Sequence, residues 1–179
     1  MRLGEDSFFA AHELAMAGDR VSEFENVALP HAASLLRYAL RLAGEKSRAE
    51  DLVQETLFSA WRNFRQFKPG TNCKAWLFRI LTNLQYRQMR RSGKRPEVDM
   101  EQVTVRLGAP EKVSASQEMR EAFARLTSEH QEVLHLAVIE GFGVREIADL
   151  LQLPEGTVMS RLSRARASLR AALAGGGNL

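Results

Sequence analysis

Apolar residues recur every three or four positions along almost the whole of this 179-residue chain, and alternating β-branched runs are all but missing. That spacing buries one stripe of a helix and leaves the rest wet, so the chain is directed towards packed helices. One segment breaks the pattern. From Pro96 to about Ser116 the periodicity is lost, Gly108 and Pro110 appear among scattered charges, and Val103–Val105 gives the only hint of a strand. It reads as a flexible linker. The expected fold is all-α, two small helical domains on a tether. The divisions are an N-terminal extension over 1–21, a first domain over 22–95, the linker over 96–116, a second domain over 117–174 and a frayed tail over 175–179.

Local signals place the helices. A stretch from about Ser22 to Ala43 carries Leu35, Leu36, Ala39 and Leu42 on one face, with a kink or restart at Pro30 and a stop at Gly44. Ser47 and Glu50 have capping-box spacing ahead of a stripe of Val53, Leu57, Ala60, Trp61 and Phe64. After a break over 67–71, Thr71 is placed to cap a third helix, which buries Trp76, Leu77, Ile80, Leu81 and Leu84. That helix runs into a basic cluster over 89–95. Ser128–Gln131 repeats the capping-box spacing for a helix ending at Gly141–Gly143. Two further helices, about 144–151 and 154–173, are joined by Gln152–Leu153.

Composition narrows the function. No run approaches the roughly 18 apolar residues of a membrane span, and Glu5, Asp6 and Glu13 spoil the charge order of a signal peptide. Cys73 is the only cysteine, which excludes an internal disulfide and suits a reducing compartment. A cytoplasmic protein is expected. His12, His31, His130 and His135 have no metal-ligand spacing, and neither a phosphate-cradling glycine loop nor a nucleophile–base pair stands out. No cofactor, no metal and no enzymatic activity are expected.

The net charge of +3 is unevenly spread. Lys74, Arg79, Arg87, Arg90, Arg91, Lys94 and Arg95 fall between Cys73 and Pro96 without an acid among them, and a second basic stretch follows Glu155. An acidic stretch, 96–102, separates the two. Such a layout suits a polyanion touched at two points.

Three segments carry candidate sites. In the last helix pair, Ile147, Ala148, Leu151, Leu153, Val158 and Leu162 can form a small core. Buried positions 158, 162, 165 and 169 then leave Thr157, Ser160, Arg161 and Arg164 facing out, behind a slim entry at Gly156. Helix, tight turn, helix is how a reading helix enters the major groove, where arginine takes guanine. An ordinary helical hairpin with a charged face has the same pattern. The second segment, FKPGTNCKAWLFRILTNLQYRQMRR (67–91), joins an exposed loop to an aromatic and basic helix, a combination that suits splayed single-stranded DNA. There Asn83 and Arg87 lie opposite Ile80 and Leu84, although a solvated helix over an aromatic core would look alike. The third, DLVQETLFSAWR (51–62), shows Asp51, Gln54, Glu55, Ser59 and Arg62 around Phe58. This is either a protein interface or a routine amphipathic face.

Taken together and in order, these segments resemble the extracytoplasmic-function (ECF) sigma factors, the smallest group of the sigma-70 family. AEDLVQETLFSAWR is similar to the family's core-polymerase-binding helix, FKPGTNCKAWLFRILTN to its −10 loop and helix, and EGFGVREIADLLQLPEGTVMSRLSRARASLR to its −35-reading helix-turn-helix. The resemblance spans about residues 22–173. It implies a non-enzymatic initiation subunit that docks Asp51, Gln54, Glu55, Phe58 and Arg62 on the polymerase β′ coiled coil and sets its second domain near the β flap. A flipped −10 base would enter the loop over 67–74, with Lys68, Asn72, Lys74, Arg79, Asn83, Arg87, Arg90 and Arg91 contacting DNA. Thr157, Met159, Ser160, Arg161 and Arg164 fall at −35-contacting positions. An anti-sigma factor is the implied restraint, and the GTN-x-KAWL-x-RILTN wording leans towards the subgroup paired with thiol-responsive zinc anti-sigma factors. Three features depart from the family pattern. Met159 replaces a residue that is often basic, Cys73 replaces a larger hydrophobe, and residues 1–21 have no counterpart. A decoy that sequesters an anti-sigma factor and a stand-alone helix-turn-helix regulator are the rival readings.

Overall fold

Pro30 has no amide hydrogen to donate, and the first helix stops just before it. In the computed structural model, which describes residues 19–92 and 117–175, α1 covers 19–28. A 3-10 turn, Leu29–His31, restarts the chain as α2, Ala32–Ala43. Gly44 ends α2 at φ 70°, a left-handed conformation that glycine adopts without strain. Then come α3 (Lys46–Arg62), a 3-10 turn (Phe64–Gln66) and α4 (Cys73–Ser92). The second part comprises α5 (Gln117–Ala124), α6 (Ser128–Leu134), a π-helical turn (His135–Ile139), α7 (Val144–Leu151) and α8 (Glu155–Gly175). The described residues contain no strand, in line with the all-α expectation. The linker with Val103–Val105, the basic pair Lys94 and Arg95, residues 1–18 and the tail over 176–179 lie outside the described residues.

Three helix starts differ from expectation. Ser47 lies inside α3, and extended Glu45 takes the N-cap position without a side-chain hydrogen bond. The left-handed turn at Gly44 leaves a single residue before the helix begins. Asn72, not Thr71, caps α4: its Oδ1 accepts from the Ala75 N–H at 3.1 Å. The Thr71 hydroxyl donates back to the Lys68 carbonyl at 2.7 Å, closing the preceding loop. For α6 the cap is Thr127, whose hydroxyl accepts from the His130 N–H at 3.4 Å. Adjacent Thr and Ser offer equivalent hydroxyls, and the extended backbone of Thr127 decides between them.

Periodicity then determines the packing. In the first domain Leu35, Tyr38, Leu52, Leu77, Phe78 and Leu81 are fully buried, and Phe24 packs edge-on against Trp61 and Phe64 at 5.4 and 5.2 Å. In the second, Val133, Leu136, Ile147, Val158 and Ala165 are the dry centre. The two domains pack against each other: one continuous apolar cluster runs through both. Its crossing point is aromatic, with Phe78 of α4 edge-on to Phe142 at 5.0 Å.

Candidate nucleic-acid interface

The turn between α7 and α8 is tight enough to hold the two helices as a unit. Gln152 sits at φ 54° and the Leu153 N–H returns to the Ala148 carbonyl at 3.0 Å. The N–H groups of Thr157 and Val158 both donate to the Pro154 carbonyl, which starts α8 directly after the turn. Val158, Leu162 and Ala165 are buried in the same apolar cluster as Ile147, Ala148 and Leu151, as the apolar spacing requires, and α8 packs on α5 and α6 as well as α7. Outward lie Met159, 56% exposed, and the exposed Ser160 and Arg164. The Ser160 hydroxyl donates to the Thr157 carbonyl at 3.0 Å. Thr157 is half-buried. Arg161 turns towards α6, where its Nη2 meets Glu129 Oε2 at 3.0 Å and its side chain is 23% exposed.

The expected −10 residues divide in a similar way. Lys68, Arg79, Arg87, Arg90 and Arg91 are exposed, and Asn83 is half-buried. Asn72 and Lys74 point across the domain boundary instead. Asn72 Nδ2 donates to Glu146 Oε1 at 2.7 Å. Lys74 Nζ donates to the Glu140 carbonyl at 2.8 Å and lies 2.8 Å from Glu140 Oε2, with the Phe142 ring 5.2 Å away.

Glu140 is therefore the hub of a cluster that sequence reasoning missed. Its side chain is 0% exposed and also lies 3.5 Å from Arg37 Nε and 3.3 Å from His135 Nε2. Both the charges of Lys74 and Arg37 and the close approach of the His135 imidazole and the Lys74 ammonium stabilise the carboxylate. Burial pushes its pKa up, but His135, Lys74 and Arg37 together outweigh burial and bring it down to about 2. Burial is the largest influence on His135 and lowers its pKa despite Glu140, so its imidazole is neutral near pH 7. Two polar bridges flank the hub. Tyr38 Oη donates to Glu132 Oε1 at 3.1 Å, and Arg41 Nη2 donates to the Ser128 carbonyl at 3.1 Å. Tyr86 of α4 is pushed up to about 12 by burial first and then by Glu132. A signal for the hub was present in the sequence: Glu140 closes a helix, where the dipole disfavours an acid unless cations compensate.

On α3, Asp51, Gln54, Glu55 and Arg62 are exposed around Phe58, which is 62% exposed. The Arg62 guanidinium lies 5.8 Å from the Phe58 ring centre. Glu55 Oε2 accepts from Gln88 Nε2 of α4 at 3.2 Å.

With this geometry in view, the comparison with known families is direct. Sigma-70 region 2 matches residues 28–95 and Sigma-70, region 4 matches residues 116–169. The chain belongs to the ECF sigma factors of the sigma-70 family. It is 37% identical over 145 residues to the ECF RNA polymerase sigma factor EcfG of Rhodopseudomonas palustris, covering 78% of this chain and 79% of the relative. It is 36% identical over 149 residues to SigL of Mycobacterium tuberculosis, covering 80% and 84%. Its fold matches the sigma factor RpoE in complex with the anti-sigma factor NepR from Bartonella quintana, with a TM-score of 0.66 and 32% identity over 84% of this chain and 96% of that one. CnrH in complex with the cytosolic domain of CnrY follows, with a TM-score of 0.56 and 27% identity over 85% and 88%. A sigma factor is an initiation factor, not an enzyme. Among the described residues no helix of this sigma factor is long and apolar enough to cross a membrane, and no group of three or more His, Cys, Asp or Glu could hold a metal.

Proposed function

We propose that this ECF sigma factor, acting in the bacterial cytoplasm, delivers core polymerase to promoters with two separate elements. The observation that carries the reading is α8. Its inner face is buried through Val158, Leu162 and Ala165 against α5, α6 and α7, while Met159, Ser160 and Arg164 stand open on the opposite side, as on a groove-reading helix. Arg164 takes a −35 base edge, Ser160 a base or phosphate, and Met159 an apolar surface such as a thymine methyl. Thr157 and Arg161 complete the −35 set. The α4 surface takes the melted −10 strand: Lys68, Arg79, Arg87, Arg90 and Arg91 track phosphates, and Asn72, Lys74 and Asn83 line the base-holding end. Asp51, Gln54, Glu55, Phe58 and Arg62 of α3 dock on the β′ coiled coil, with the second domain near the β flap. The relatives RpoE and CnrH, seen with NepR and CnrY, support restraint of this chain by an anti-sigma factor of its own.

Run-off transcription from fragmented DNA of the source bacterium, with core polymerase and with or without this protein, tests the reading. New discrete transcripts sharing two upstream elements are expected. Transcripts unchanged by the protein would overturn the assignment. DNA binding that ignores polymerase would leave a conventional regulator that reads DNA through α8.

A further inference from the structure

The N-terminal half of α8, residues 155–164, carries two cations, Arg161 and Arg164, and they are differently placed. Arg164 is exposed, whereas the Arg161 guanidinium lies 3.0 Å from the Glu129 carboxylate of α6. We propose that Glu129 withholds Arg161 from the DNA backbone, so that this sigma factor reads −35 DNA with Arg164 as its free cation and with less sequence-independent attraction. The inference rests on reading α8 as the −35 helix.

The geometry makes Arg161 a flanking residue. Positions three apart on a helix are surface neighbours, so Arg161 borders the open side that carries Arg164 and is turned towards α6, which packs on α8. The centre of such a face meets base edges and its flank meets the phosphate walls of the groove. The Arg161 side chain is 23% exposed and that of Glu129 is 61% exposed, so approaching DNA meets the carboxylate before the guanidinium. Glu129 then acts twice. It occupies a donor that a phosphate would take, and its own charge repels phosphates within a screening length of about 10 Å.

The N-terminal turn of α6 favours an acid at 129 whatever that acid faces, which accounts for the charge but not for its reach across to α8. An exposed ion pair is weak and screened by salt, so it biases Arg161 without fixing it, and a well-placed phosphate can still draw the guanidinium away. The consequence is selectivity. Phosphate contacts strengthen binding to every sequence alike, whereas base contacts discriminate. Met159, 56% exposed on the same side, works in the same direction because it adds contact without charge.

The test titrates full-length wild type, Glu129→Gln, Arg161→Ala and the double variant against a short labelled duplex of random sequence at several KCl concentrations. Far-UV circular dichroism verifies that each is folded. Glu129→Gln is expected to tighten binding on the order of two- to five-fold at low salt, the equivalent of an exposed ion pair. It should also steepen the slope of log affinity against log salt by about 0.9, the mark of one more neutralised phosphate. Arg161→Ala is expected to weaken binding more in the Glu129→Gln background than in wild type, a coupling that loss of a carboxylate alone would not produce. An unchanged slope in Glu129→Gln, or equal effects of Arg161→Ala in both backgrounds, would overturn the withholding. Weaker binding by folded Glu129→Gln would also overturn it and make Glu129 an aid that aims Arg161 at DNA. Arg164→Ala checks the underlying reading: if it leaves duplex binding unchanged, α8 is not the reading helix and the inference falls with it. If Arg164→Ala weakens binding while the coupling is absent, only the role of Glu129 fails.

Discussion

At the scale of single residues, exposure separates side chains that can act at once from those already engaged. Arg164 is exposed on α8, whereas Arg161 is paired with Glu129. Arg164→Ala is expected to weaken −35 recognition by about 1–3 kcal/mol, the worth of a bidentate base contact. Core binding should not change. Equal losses in promoter and core binding, measured side by side, would remove Arg164 from the reading face. The buried titrating groups make a second prediction. His135 has its pKa lowered chiefly by burial, so below the ordinary value of 6.5 the unfolded chain takes up a proton that the folded chain resists. Stability therefore falls on acidification from about that pH, by at most about 1.4 kcal/mol per unit for one histidine. His31, lowered by burial and then by Lys74, shifts in the same direction. Melting temperatures of His135→Gln and of the double variant with His31→Gln should lose this slope in two steps. Glu140 acts in a lower window: its stabilisation is complete above the ordinary 4.5 and is lost as pH falls towards about 2. A slope that survives the double variant would assign the upper window to other groups.

At the scale of elements, the turn of the helix pair carries a specific strain. Gln152 closes α7 in the left-handed region, which disfavours any residue with a Cβ. Gln152→Gly is expected to stabilise the fold by about 1 kcal/mol in denaturant unfolding, less whatever glycine gains in the unfolded chain. A loss instead would mean that the Gln152 side chain contributes more than the strain costs. The α3 face makes the other prediction at this scale. Asp51→Ala with Glu55→Ala should lower affinity for core polymerase and leave promoter preference alone. Glu55 also accepts from Gln88, so the melting temperature must be followed to separate docking from packing. An unchanged core affinity would take both carboxylates out of the interface.

At the scale of the molecule, the aromatic crossing packs the two domains together and is expected to couple their unfolding. Phe78 is fully buried, stacked 5.3 Å from Tyr38 and edge-on to Phe142. Phe78→Ala is expected to cost about 3–5 kcal/mol, and wild type should melt in a single calorimetric transition. Two resolved transitions in wild type would show that the domains unfold separately.

Much of this organisation is local, and local features are legible. The apolar stripes of α2, α3 and α4, the stop at Gly44, the restart at Pro30 and the helix pair around Ile147 and Val158 follow from spacing along a single helix. The exposed Phe58 and the open Ser160 and Arg164 of α8 follow from the same spacing, whereas Thr157 and Arg161, expected to face out as well, are half-buried, and Met159 came from the resemblance alone. Where hydroxyls and amides compete over one or two positions, as at Thr71–Asn72 and Thr127–Ser128, backbone geometry chose the cap. The sequence by itself determined helices, their inner faces and the order of the family's segments, because periodicity and resemblance both act along the chain. Only the tertiary structure decided that Lys74 and Asn72 face Glu140 and Glu146. Those pairs lie 66 and 74 positions apart, and the charge balance of a buried carboxylate depends on neighbours that folding alone brings within reach.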